Sequence, residues 1–165
     1  ANLARQLLDQ TEALHGLTER ECDLIETAAH VHDIGRALAL DGHHRHSAYL
    51  VEYSDLRGLS PDDLAMVLSL VRSHRGGPPK VSFPPFRAMN PDQRRKTRTM
   101  AAMLQLADAL DRPRDGSVQR VLTADTGESL LIRTFGASVE PDREAMQGRI
   151  DYAQAVLGRR IEFVT

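Results

Sequence analysis

The chain has 165 residues, with 21 basic and 23 acidic side chains, seven histidines and a formal net charge of −2. That balance supplies no global field for nucleic acid, the single cysteine (Cys22) excludes an intrachain disulfide and any Cys-based zinc site, and no apolar run approaches the ~20 residues of a membrane span. With 41% apolar residues, 4% aromatics and no tryptophan, the core must be built from Leu, Ala, Val, Ile and Met, which favours packed helices. A reduced, cytoplasmic protein of one domain, or one domain with a small appendage, is expected.

Leu3, Leu7, Leu8 and Leu14 recur at helical spacing and predict a first helix over 2–15, closed by Gly16. Thr18 and Glu21 form a capping box that opens a helix over 19–33. Gly35 and Gly42 bracket a short connection, and a helix over 43–54 follows. Ser60-Pro61-Asp62-Asp63 starts a further helix that runs to about His74. Residues 76–91 hold five of the eight prolines and read as a loop that adds no core element. Asn90-Pro91-Asp92 caps a long helix to about Leu110.

The periodicity then changes. Residues 118–122 and 129–133 are strand-like around a turn with Asp125 and Gly127, residues 141–157 read as a helix, and 160–164 alternate like a last strand. The expected fold class is mainly α: a helical bundle over 1–113 followed by a small α+β subdomain (hairpin, helix, strand) over 114–165.

The chemistry concentrates at helix ends. His32-Asp33, followed by Ile34-Gly35, can turn two adjacent donors toward one divalent ion, and imidazole with carboxylate suits Mn, Fe, Zn or Ni without choosing among them. The string Gly42-His43-His44-Arg45-His46 packs three histidines into four positions. His74 ends a later helix, and Asp108 lies between apolar neighbours on the long one. A carboxylate there needs a partner, which a metal or an arginine can supply. Between Arg72 and Arg98 eight basic residues face one acid, Asp92, which reads either as a solvated surface or as a polyanion patch built on Arg72, Arg75, Arg94, Arg95, Lys96 and Arg98.

The order His-Asp, His, His, Asp resembles the HD superfamily. The segments GHHRHSAYLV, SDLRGLSPDD, LVRSHRG and ADALDR resemble more narrowly the C-terminal part of the exopolyphosphatase/guanosine pentaphosphate phosphohydrolase family, over essentially the whole chain. The resemblance implies an HD-like bundle with metal ligands His32, Asp33, His46, His74 and Asp108 for a divalent ion (Mn, Fe, Zn, Ni or Mg). It also implies a hydrolytic site in actin-like N-terminal domains, so that this chain is expected to be a fragment that contributes polyphosphate binding and homodimer contacts to a phosphoanhydride hydrolase. The alternative is an autonomous HD-type phosphohydrolase for a nucleotide or phosphoester, in which Asp33, Arg45 and Arg75 are catalytic. HD enzymes carry a further histidine at the start of the first helix, which falls at about Ala1 or before it. His15 lies roughly 20 Å away along that helix and is no substitute.

Overall fold

A computed structural model of the protein describes residues 1–111, 118–136 and 143–164. The described elements are α1 (Asn2–Gln10), α2 (Glu12–His15), α3 (Glu19–Val31), a 3-10 turn (Ile34–Ala37), α4 (His43–Glu52), α5 (Pro61–Ser73), α6 (Pro84–Ala88), α7 (Pro91–Leu110), β1 (Val118–Asp125), β2 (Ser129–Gly136), α8 (Arg143–Leu157) and β3 (Arg160–Val164). The protein is mainly helical with a small C-terminal α+β part, as the periodicity predicts. The division at 113/114 and the helix start at 141 lie outside the described residues. Among the described residues no helix is long and apolar enough to cross a membrane.

The predicted caps form. The Thr18 and Ser60 amides donate to the Glu21 and Asp63 carboxylates, and the Asn90 amide donates to Gln93 Oε1. Two local expectations fail. The first helix breaks at Thr11, whose hydroxyl donates to the Leu7 carbonyl at 2.6 Å and bends the chain into the separate turn α2. The proline-rich stretch contains α6, started by Pro84 and Pro85, and its Phe86 is fully buried in the core. Prolines that end one element here begin another, and one aromatic anchors it.

Helix α7 is central. Every residue from Met100 to Leu110 is buried, so it must be covered on all sides. Helices α1, α3, α5 and α8 all pack on it. The sheet has the order β1-β2-β3, with β1 antiparallel and β3 parallel to β2. Its inner side chains (Val121, Leu130, Ile132 and Ile161) join the same apolar cluster as the helices.

Strand β1 is an edge, and the helical part covers it in an unusual way. Gln6 and Gln10 lie one turn apart on α1. Their amides accept from Val121 N–H and Thr123 N–H, both at 2.9 Å, and donate to the Gln119 and Val121 carbonyls at 3.2 and 3.0 Å. Two primary amides thus act as a surrogate strand for the open edge. Replacing both by alanine removes four hydrogen bonds at a partly exposed site. A loss of about 1–3 kcal/mol is expected in urea denaturation, with unchanged helix content by circular dichroism.

Candidate metal centre and flanking basic pocket

Helix α3 stops at Val31, and the chain turns through His32 and Asp33 into the 3-10 turn. The turn runs directly against α4. The Gly35 amide donates to Ser47 Oγ at 2.9 Å, and a Cβ on Gly35 would collide with the Ser47 amide nitrogen and the His43 carbonyl oxygen. Only glycine permits this approach, and the approach carries Asp33 to the N-terminal end of α4.

Three imidazoles meet there. His32 Nδ1 lies 2.9 Å from the Ala29 carbonyl, His43 Nδ1 2.9 Å from that of Leu40, and His74 Nδ1 2.8 Å from that of Val71. A carbonyl oxygen can only accept, so each Nδ1 carries the proton, and in the neutral ring Nε2 is a bare lone pair. All three Nε2 atoms face the Asp33 carboxylate. His43 Nε2 stands 3.2 Å from His74 Nε2, and Asp33 Oδ1 stands 3.1 Å from the former and 3.5 Å from the latter. Asp33 Oδ2 is 3.8 Å from His32 Nε2, and the donor atoms of His32, Asp33 and His74 all lie within 4.8 Å of one another.

Ligands held at about 2.1 Å from one ion stand about 3.0–3.4 Å apart. Backbone-locked imidazoles with converging lone pairs beside a carboxylate are therefore a fitting donor set for a divalent cation. Burial, aided by His32, pushes the His74 pKa down to about 4, against the opposing effects of Val71, Asp108 and Asp33. His74 is thus a neutral donor at pH 7.

Asp108 meets this group at its edge. Its Oδ1 is 3.4 Å from His32 Nε2, and its Oδ2 is 3.0 Å from Arg149 on α8. Burial alone would raise its pKa, but a hydrogen bond from protonated His32, whose Nε2–H donates, and the Arg149 charge outweigh it and hold the carboxyl below its ordinary range. Burial likewise acts to lower the His32 pKa, yet Asp108 and then Asp33 raise it overall. Of the two partners expected for Asp108, the arginine is in contact with it.

Four of the five expected ligands (His32, Asp33, His74 and Asp108) come together. The fifth does not. The α4 histidine that reaches the group is His43, at the first helical position. His46 sits half-buried one turn further on, with no hydrogen bond to the group. The helix start predicted at residue 43 was the signal available for this. His15 is structural: its ring bridges the Leu8 carbonyl and the Leu17 amide at 2.9 Å each. Nothing local in the sequence announced Arg149.

The basic residues divide into two sets. Arg45, Arg72, Arg75 and Lys80 line a cavity of about 250 Å³ with His44, Ser69, Ser73 and Ser82, and among the described residues no carboxylate takes part in the lining. Burial and then the Arg45 charge lower the Arg72 pKa, and burial with Arg72, Arg75 and Arg45 pushes His44 down to about 4. His44 Nδ1 is buried there with no hydrogen-bond partner among the described residues. By contrast, Arg95 pairs with Asp92, Lys96 with Glu21 and Asp92, Arg94 donates to the Arg87 carbonyl, and Arg98 lies over the Phe86 ring. These four sit along the first turns of α7, away from the cavity lining.

The profile of the Ppx/GppA phosphatase family, domain III, matches residues 1–134. A guanosine-5'-triphosphate,3'-diphosphate pyrophosphatase of Vibrio vulnificus (strain YJ016) is 29% identical over 134 residues, which cover 80% of this chain and 26% of that relative. The chain therefore spans about a quarter of the length of this relative.

The close approach at Gly35 can be tested by its sign. Gly35 has no positive φ, so alanine there would ordinarily stabilise by about 0.4–1 kcal/mol through the unfolded chain. Here Gly35→Ala is expected to destabilise by about 3 kcal/mol or more, because the clash is with backbone that cannot rotate away. Denaturant midpoints of the two proteins decide it.

Proposed function

The chain belongs to the Ppx/GppA phosphatase family as its domain III, and from that premise we propose that it is the HD-like, polyanion-binding domain of a phosphoanhydride hydrolase, with a divalent-metal centre beside an oxyanion pocket. One observation carries this reading. In His43-His44-Arg45 and again in His74-Arg75, one residue faces the His/Asp group and the next lines the basic cavity. Metal donors and phosphate-sized positive charge are thus built from the same two chain segments.

The substrate class is polyphosphate or a phosphorylated small molecule such as a guanosine polyphosphate, the latter in line with what the Vibrio relative is named for. Arg45, Arg72, Arg75 and Lys80 would bind phosphoryl oxygens as charge-assisted donors. Arg94, Arg95, Lys96 and Arg98 would extend the track for longer chains. The hydrolytic groups would come from actin-like domains of the whole protein. Homodimer contacts have available apolar surface in Leu38, Leu40, Tyr49 and Tyr53, all more than half exposed.

The second reading, an autonomous HD-type phosphohydrolase, is favoured by the three backbone-locked imidazoles. A divalent ion held by His32, Asp33, His43 and His74 would supply Lewis acidity toward a phosphoryl oxygen and a lowered pKa for water. Arg45 and Arg75 would then stabilise charge developing on the phosphoryl group, and Asp33 would orient the donors.

Protein purified without chelator should contain about one equivalent of a divalent metal, and none would remove the metal centre from this reading. Arg72→Ala with Arg75→Ala should weaken binding of tripolyphosphate and of long polyphosphate by about tenfold or more. The quadruple alanine variant at 94, 95, 96 and 98 should weaken only the long polymer, because several weak contacts add along one chain. Both effects should shrink as salt screens exposed charges over about 8–10 Å. Equal binding of long polyphosphate by the double variant and the parent at low salt would refute the pocket assignment. Metal-dependent phosphoester hydrolysis by the purified chain would favour the second reading.

A further inference from the structure

Arg149 reaches the centre from α8, beyond the residue at which the family profile ends. Its side chain is only 15% exposed, and that of Asp108 is 6% exposed. The guanidinium is fixed on two sides, by Asp108 Oδ2 at 3.0 Å and by the Arg75 carbonyl, toward which Nε points at 3.4 Å. A desolvated carboxylate requires a compensating cation, and an arginine already in contact fulfils that need without an ion. The other oxygen of Asp108 stands 3.4 Å from His32 Nε2, at the edge of the group.

We infer that Arg149 is the resident counter-charge of Asp108: it keeps this carboxylate out of the inner coordination shell and leaves the ion to His32, Asp33, His43 and His74. The inference rests on the metal reading above and adds a positioning residue to it. It also makes α8 part of the centre. A cation contributed by the C-terminal subdomain is bound between Asp108 on α7 and the residue after His74, so the docking of that subdomain and the composition of the shell are set together.

The test is titration of the metal-free protein with Mn²⁺ by calorimetry, with Co²⁺ visible absorption reporting on the donor set. The parent should bind about one ion. Arg149→Met should bind Mn²⁺ about tenfold more tightly, because the unpaired Asp108 then turns to the ion, and its Co²⁺ spectrum should change with the added oxygen donor. Arg149→Lys keeps the charge and should remain within about threefold of the parent. Asp108→Asn in the presence of Arg149 should also remain within about threefold, since the carboxylate is not a ligand there. A tenfold loss in Asp108→Asn would overturn the inference, as would unchanged or weaker binding in Arg149→Met. If Arg149→Met does not fold, Asp108→Asn decides alone. A parent that binds no ion refutes the metal reading and this inference with it; a parent that binds one ion while Asp108→Asn loses it refutes the inference only.

Discussion

The contact between the turn after α3 and the start of α4 governs the arrangement of the His/Asp group. Backbone lies on backbone at Gly35, with one hydrogen bond from its amide to the fully buried Ser47 hydroxyl. No side chain separates the two segments, so Asp33 and His43 come within 3.1 Å although they belong to different elements. The third partner is placed just as firmly. Gln105, fully buried on α7, donates to the Ser73 and Gly77 carbonyls at 2.9 and 2.8 Å and so grips the chain on both sides of His74. Backbone hydrogen bonds at the three Nδ1 atoms then leave the imidazoles little choice of orientation.

Charge is segregated across a short distance. The centre gathers two carboxylates and three imidazoles, of which His74 is held neutral chiefly by burial. The adjoining cavity gathers guanidinium and ammonium groups, which repel one another unless an anion lies between them; burial first, and then that repulsion, lowers the pKa values of His44 and Arg72. The two regions gather charge of opposite sign, with Arg36 and Arg149 standing beside Asp33 and Asp108, and they are linked through consecutive residues.

Much of this was legible in the sequence because it is local. The capping residues at Thr18, Ser60 and Asn90 and the switch of periodicity at Val118 follow from short-range pattern, while the grouping of His32, Asp33, His74 and Asp108 was expected from the resemblance to the HD order. What was not legible depends on rotation about helix axes and on long-range docking. Three histidines within one helical turn cannot be ranked without knowing which face α4 turns inward, and the face proved to be that of His43 rather than His46. Arg149 is separated from Asp108 by a strand hairpin, and a single arginine on an amphipathic helix carries no signal of its destination. Phe86 was hidden for another reason. Proline density suggests a loop, and only the packing reveals that the same prolines start a helix turn whose one aromatic is buried.

The C-terminal α+β part is best understood as a requirement of α7. A helix buried on every side cannot be stable in a bundle that covers only part of its circumference. Helices α1, α3 and α5 supply part of that cover, and α8 supplies more with Met146, Ile150, Ala153 and Leu157. Strand β3 extends the sheet beside β2, and β1 at the opposite edge is closed by the Gln6 and Gln10 amides. The family profile ends within β2, yet the core does not. Residues beyond 134 complete the burial of the helix that carries Asp108, and they deliver the arginine that compensates it. Packing and electrostatics therefore make the same demand: the segment that seals α7 also neutralises the one carboxylate that α7 buries.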